Sequence, residues 1–416
     1  MQTFILIYHY TGASKILGIY EIIRLLVASY LFLTGFGHAT FFLKKGDFSL
    51  KRFASVLIRI NLLSCILPYI MKTDYLFYYF SPLTSFWFVV IYFTMRVGHA
   101  RNNSLIFLTA KIITSAALVN SLIRTPGIFD ILFHGLEKSC NIRWDTHEWQ
   151  FRLQLDGYIA MVGALCGGIS VHITNILKQD GVQDSRFDDL MRSSFFGLRS
   201  LALVIALTIP PIFYLVARTA PSKIIYNSYV PFFSAFPILS FVLLRNFSLR
   251  ARNVHSSIFA WMGRHSLETF TLQFHIWLAA DTKGLLSTGV LEHLGGRRAE
   301  FILLTIIFLW VCWHVAASTQ TITSWIINPK EGREEFEFDA DTKNGNEMLP
   351  TTKSFSAFGD VTLHGEKSVL DSVHNEASRN MSGVKAWFAD DLKARLATII
   401  LLMWVLNWVS RLSEVS

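Results

Sequence analysis

Apolar runs of about twenty residues recur along this chain, and no other feature limits its fold as strongly. A run of that length crosses the hydrocarbon core as a helix, pairing every backbone N–H and C=O within the segment. Ten such spans can be read, at roughly 22–43, 53–71, 77–95, 104–123, 155–177, 197–217, 227–245, 265–280, 300–325 and 395–411. The pattern predicts an all-α polytopic membrane protein of about ten transmembrane helices, with lipid as its partner over most of its surface. Composition excludes an ordinary soluble domain, because 52% of the 416 residues are hydrophobic and only 16% are charged. The formal charge of +8 does not indicate nucleic acid, since the basic residues cluster in short loops between apolar runs.

Those loops set an expected orientation. Lys44, Lys45, Lys51 and Arg52 follow the first span, Arg96 and Arg101 the third, and Arg245, Arg250, Arg252 and Arg264 the seventh. Positive charge marks the cytosolic side, so the N-terminus and the C-terminus are expected on the lumenal side. Residues 1–328 form the expected membrane core, ahead of a polar stretch at 329–394 read as a disordered cytosolic loop and a last span at 395–416. The sequons at Asn102, Asn246 and Asn380 then face the cytosol and should carry no glycan. The four cysteines have no metal-site or disulfide spacing, and no metal is predicted. Asp371-Ser372-Val373-His374 resembles an esterase element but lies in the polar loop without a nucleophile motif, and is read as chance.

Polar residues inside the spans are the functional signal, because ionisable groups in a bilayer are costly. The segment Ser266–Gly284, "SLETFTLQFHIWLAADTKG", carries Glu268, Gln273, His275 and Asp281. Glu268, Thr271 and His275 share one helical face, suiting general acid–base work or, alternatively, the joining of helices. In the first span Arg24 and His38 are fourteen residues apart, about 21 Å of helix, on nearly the same face. Gly35 and Gly37 beside His38 permit close approach of a backbone or ligand. Arg59, Lys111 and His172 fall at a similar depth near the cytosolic face and suit an anionic donor such as acetyl-CoA. Before the fifth span, Glu148, Arg152 and Asp156 are spaced by four, which a helix would align as two ion pairs. Arg152 and Asp156, with Asp281, are candidates for an acceptor site, and Trp144 and Trp149 suit a membrane interface.

Five segments carry a resemblance: "ILIYHYTGAS", "RLLVASYLFLTGFGHATFF", "YLFYYFSPLTSFWFVVIY", "HEWQFRLQLDGY" and the Ser266–Gly284 stretch. In this order the chain resembles the ten-transmembrane acyltransferase domain of eukaryotic glycan O-acetyltransferases, which act in sialate, plant-wall and fungal-capsule O-acetylation. The resemblance implies O-acetylation of glycans or polysaccharides in the Golgi lumen with acetyl-CoA supplied from the cytosol. The Arg24 and His38 arrangement is similar to that in the first helix of the broader transmembrane acyltransferase superfamily, which implies a catalytic role for His38 as base or acetyl relay; His275 and Glu268, from their place in the Ser266–Gly284 stretch, are the next candidates. Animal and fungal members carry a lumenal esterase-like domain ahead of this one, so a separate lumenal esterase-like acetyltransferase is an implied partner. The alternatives are a transporter of an acetyl donor or activated sugar, and an inactive truncated membrane scaffold.

Overall fold

A computed structural model describes residues 1–178, 195–279, 284–290, 296–328 and 392–412. Among the described residues the secondary structure is helical, apart from an isolated antiparallel bridge between Leu278 and Leu285. The helices are α1 (Gln2–Tyr10), α2 (Leu17–Lys45), α3 (Leu50–Met71), α4 (Phe80–Arg96), α5 (Leu105–Arg124), α6 (Ile128–Cys140), α7 (Thr146–Leu155) and α8 (Ile159–Lys178). There follow α9 (Phe195–Ala217), α10 (Lys223–Phe233), α11 (Ala235–Asn246), α12 (Leu249–Asn253), α13 (Ser257–Arg264), α14 (Ser266–Ile276), α15 (Gly296–Ile327) and α16 (Leu392–Leu412). The stretch read as a disordered loop and the esterase-like tetrapeptide lie outside the described residues, but for the first positions of α16 and the flanking Asn328.

Seven described helical segments are long and apolar enough to cross a membrane, and the bent pair α10–α11 makes an eighth. The remaining anticipated spans take shorter forms. The span at 77–95 begins with a 3-10 turn at Tyr75–Tyr78 and continues as α4, 17 residues long. The span at 227–245 is α10 and α11, which meet at 54° next to Pro231. The span at 265–280 is α14, whose 11 residues rise only about 16 Å and cannot cross alone.

The core is organised around α2 and α8. Small residues line their seam: Gly35 and Ala39 on α2 face Ala160, Ala164 and Gly167 on α8, and Gly163 of α8 meets the backbone of Phe32. A Cβ at Gly35 would fall 1.8 Å from the Ala160 carbonyl oxygen, and one at Gly163 would fall 2.1 Å from that of Phe32. Only glycine allows backbones so close, and lipid offers no hydrophobic incentive between helices, so this packing is what joins them. Gly37 has open space around its Cβ position, so of the two glycines beside His38 only Gly35 serves close approach.

The basic loops after the first and third anticipated spans meet at one end of the bundle. The Tyr92 hydroxyl donates to the Phe48 carbonyl (2.8 Å), and Phe48 and His99 make a ring contact at 5.7 Å. At the opposite end Tyr75 stacks on Trp144 at 5.2 Å, with the planes within 4° of parallel, and Trp149 tucks in behind. Helix α16 is fastened there too: Trp404 donates to the Ser139 carbonyl (2.8 Å), and Asn141 donates to that of Asn407 (2.7 Å). These are called below the basic end and the far end.

Candidate active site

Helix α14 is too short to span and too polar to sit unpartnered, so its position decides what the interior of the bundle is. It starts after a break at His265 (φ −102°, ψ 23°) and stops at Trp277. Glu268, Thr269, Thr271 and Gln273 are all fully buried. Each carries a hydrogen-bonding group that would be costly in an apolar interior without a partner, and most of the partners come from other elements. The Glu268 carboxylate pairs with Arg59 of α3 at 2.7 Å and accepts a long contact from Thr319 of α15 (3.5 Å). Thr269 accepts from the Gln2 amide of α1 (2.9 Å), and the Gln2 carbonyl oxygen in turn accepts from the Tyr30 hydroxyl of α2 (3.0 Å). Gln273 Oε1 lies 3.0 Å from His9 Nδ1 of α1. His275 Nε2 is hydrogen-bonded to the Tyr78 hydroxyl, which also bonds Thr73 (2.8 Å). Thr271 instead bonds its own backbone, at Leu267.

These contacts form a ladder. Along α14 the partners move from α3 and α15 near Glu268 to the far-end turn Tyr75–Tyr78 near His275. Helix α1 runs beside α14 in the same direction, since Gln2 meets Thr269, His9 meets Gln273, and Tyr10 reaches Trp277 (5.5 Å). Two short helices thus lie side by side, α14 inside the bundle and α1 on its flank, with Phe4 and Ile7 exposed. Such backbone is tolerated at membrane depth only where protein or a polar cavity surrounds it.

A second cluster lies toward the far end. Helix α7 stops at Leu155, and Asp156 just beyond it (φ −124°, ψ 25°) turns its carboxylate to Arg24 of α2 at 2.8 Å. Of the two ion pairs anticipated from the spacing of four, Glu148–Arg152 forms (2.7 Å). The pair Arg152–Asp156 does not, because the helix ends between them and Asp156 points to Arg24 instead. Arg152 lies over the Tyr79 ring, 3.9 Å from its centre. The structure therefore brings Arg152 and Asp156 together with two residues that sequence reasoning did not nominate for the acceptor site, Arg24 and Tyr79. Asp281 lies outside the described residues.

His38 stands apart from both clusters. It is buried, with its ring 4.7 Å from that of Phe88. Phe53 of α3 also meets Phe88, at 5.7 Å, and the Arg52 guanidinium sits 4.0 Å over Phe41, one turn from His38. Tyr30, the α2 residue tied into the α14 ladder, is eight residues from His38, or about 12 Å of rise. Glu268 and His275 are seven residues apart on α14, about 10 Å, each with its own partner. The three nominated catalytic groups thus occupy three depths and do not form one triad.

Two of the three residues nominated for the donor have other engagements in this structure. Arg59 is the partner of Glu268. Lys111 bonds the Asn102 side chain and the Val97 carbonyl (3.1 Å), closing the loop between α4 and α5. His172 is half-buried on α8, six residues before that helix ends. An open hollow of about 570 Å³ lies at the far end between Tyr10, Arg297, Arg298, Phe301 and Ile302, away from all of them. Several polar atoms of the clusters are buried without a partner: Glu268 Oε2, Arg59 Nη1, His275 Nδ1, and Nε of Arg24 and Arg152. Buried polar atoms are normally paired, and unpartnered ones also occur elsewhere in the bundle, at Thr40, Trp87 and Tyr229. Sequence reading missed Gln2, His9, Tyr30, Tyr78 and Tyr79, whose signal was only that of polar or phenolic residues in apolar context.

Comparisons with known proteins identify the family of the chain. Residues 1–337 match the family model described as a 10 TM acyl transferase domain found in Cas1p. The zebrafish (Danio rerio) N-acetylneuraminate (7)9-O-acetyltransferase is 36% identical over 341 residues, covering 80% of this chain. The chain spans 42% of the length of that relative. No solved structure matches. A match over most of the chain, on a bundle whose interior carries buried ion pairs and histidines, leads to one conclusion: this chain belongs to the ten-transmembrane acyltransferase domain family found in Cas1p.

Proposed function

We propose that this chain is a membrane O-acetyltransferase module of the Golgi membrane. It takes the acetyl group of cytosolic acetyl-CoA and serves the O-acetylation of a glycan or polysaccharide hydroxyl in the lumen, beside a lumenal esterase-like acetyltransferase. The observation that carries the reading is the succession of ionisable groups through the interior: His38 at the basic end, the Arg59–Glu268 pair deeper, and His275 toward the far end. With the basic loops on the cytosolic side, the order runs from donor to acceptor. His38 acts at the thioester, as base or acetyl relay. Arg59, Lys111 and His172 are the donor-side cations of this reading. A donor phosphate reaching Arg59 would compete with the Glu268 carboxylate. Arg152 and Asp156, with Asp281, are the acceptor-side groups.

The test is transfer by purified protein in liposomes supplied with acetyl-labelled acetyl-CoA on the basic-end side. Label on a glycan acceptor or on the protein supports the reading, and His38→Ala should abolish it while the protein still folds. Label that crosses or stays only as intact acetyl-CoA overturns it. That outcome would favour a transporter of the acetyl donor or activated sugar, the second reading. Its specific support is the bend between α10 and α11 and the half-helices α1 and α14, the interrupted helices on which transporters build midplane sites.

A further inference from the structure

We propose that Tyr78 is a positioning residue for His275, holding the imidazole as the Nε2–H tautomer so that Nδ1 offers a lone pair to the acceptor hydroxyl. The inference rests on the transferase reading for its chemical consequence, but its geometric core stands without it.

Tyr78 is fully buried at the end of the 3-10 turn Tyr75–Tyr78, which Asp74 caps by accepting from the Leu76 N–H (2.8 Å). Its hydroxyl bonds Thr73 Oγ1 at 2.8 Å and His275 Nε2. A hydroxyl has one proton, so the chain Thr73–Tyr78–His275 runs in one of two directions. In one direction Thr73 donates to Tyr78 and Tyr78 donates to Nε2, and the imidazole proton then sits on Nδ1. In the other direction Nε2–H donates to the phenol, the phenol donates to Thr73, and Nδ1 is left as an acceptor. His275 Nδ1 is buried with no partner. An orphaned buried N–H is rarer in proteins than an under-used acceptor, so the second direction is the better-tolerated one. Thr73 is half-buried in the far-end loop, where its own proton has water within reach.

The tautomer decides what His275 can do. With the proton on Nε2, Tyr78 stands where the orienting carboxylate of a catalytic triad stands, accepting the imidazole N–H and fixing the ring. The acceptor hydroxyl loses its proton to Nδ1 as its oxygen bonds to the acetyl carbon. The bond from that carbon to the atom that delivered the acetyl group, the sulfur of the donor or the nitrogen of a relay, breaks with its electron pair on that atom, and the proton held at Nδ1 then passes to it or to water. With the opposite tautomer Nδ1 carries a proton and cannot take another. Packing does not require the phenol hydroxyl, because the Tyr78 ring holds its place by edge contact with Phe274 (6.4 Å, 81°).

The experiment is nitrogen NMR of the full chain in bilayers, labelled at histidine, with His275→Gln to identify the His275 signals. The expected result is a protonated Nε2 and a bare Nδ1 in the wild type, with that preference lost in Tyr78→Phe. Thr73→Val removes the acceptor of the phenol proton and should weaken the preference in the same direction, which keeps the test alive if Tyr78→Phe does not fold. A wild-type Nδ1–H tautomer, or an unchanged one in both variants, overturns the proposal. In the liposome assay Tyr78→Phe should lose about 10- to 100-fold in transfer to the acceptor, the usual cost of an orienting partner, with acetyl-CoA binding unchanged. Unchanged transfer also overturns it. If the wild type transfers no acetyl at all, the transferase reading fails and the NMR result alone decides the role of Tyr78.

Discussion

Removing Arg59 should destabilise the protein far more than removing Arg59 and the charge of Glu268 together. At 2.7 Å and an effective dielectric near 20, the pair attracts by about 6 kcal/mol. Desolvation of each ion costs several kcal/mol, so the two effects nearly cancel and the net value of the pair is small. The single variants are unequal because the exposures are unequal: the Glu268 side chain is 0% exposed and that of Arg59 is 19%. Arg59→Met strands a carboxylate with Thr319 as its one long contact at 3.5 Å, at an expected cost of about 3–5 kcal/mol. Glu268→Gln keeps the shape and leaves a cation that can move its head toward the basic end, costing roughly 1–3 kcal/mol. The double variant should lie within about 1 kcal/mol of wild type. Reversible unfolding of purified protein in mixed micelles, followed by tryptophan fluorescence, gives all three values in one double-mutant cycle. If Arg59→Met costs no more than the double variant, Glu268 is not held as a buried anion and the ladder along α14 loses its electrostatic anchor.

Three further outcomes follow from the geometry. Gly163→Ala places a methyl 2.1 Å from the Phe32 carbonyl oxygen and should cost at least 1–3 kcal/mol by overpacking, whereas Gly37→Ala, with open space, should stay within about 0.5 kcal/mol; thermal melts of the two variants check the contrast. The Glu300 carboxylate gathers the hydroxyls of Ser287 and Thr288 (both 2.8 Å) and the backbone N–H of Gly289 (2.7 Å); in Glu300→Ala, amide exchange across residues 284–290 should rise while α2 and α8 stay protected, and unchanged exchange there would refute the clamp. Glycosidase treatment of protein from a secretory host should produce no mobility shift from Asn102, Asn246 or Asn380, and a glycan on any of them would reverse the assigned orientation.

The class of fold was legible because lipid imposes a simple rule on backbone pairing, and runs such as 22–43 and 300–325 obey it in plain view. The unusual character of Ser266–Gly284 was legible for the same reason, since polar groups in such a run must find partners. Which partners they find was not. Arg59 and Glu268 are separated by 209 positions, and no local pattern links them. Arg152 and Asp156 show the reverse failure: their spacing of four is correct for an ion pair on a helix, but the helix stops at Leu155. Asn120 fixes that stop by donating to the Gly157 carbonyl (2.6 Å), a tertiary contact outside any window of sequence. The brevity of α14 was hidden because hydropathy measures how apolar a segment is and not where its backbone turns.

The closeness of α2 and α8 has a mechanical consequence. Backbones that touch through Gly35 and Gly163 cannot slide without collision, so the two helices form a single rigid beam. That beam carries His38 near one end, and near the other it carries Arg24, with Asp156 just ahead of α8. Any motion that admits a donor or releases a product must therefore take place across its flank, where α14 is held by hydrogen bonds and one ion pair and no glycine seam locks it. Distance probes placed on α2 and α8 should report a fixed separation through a turnover, and probes on α2 and α14 should report the stroke.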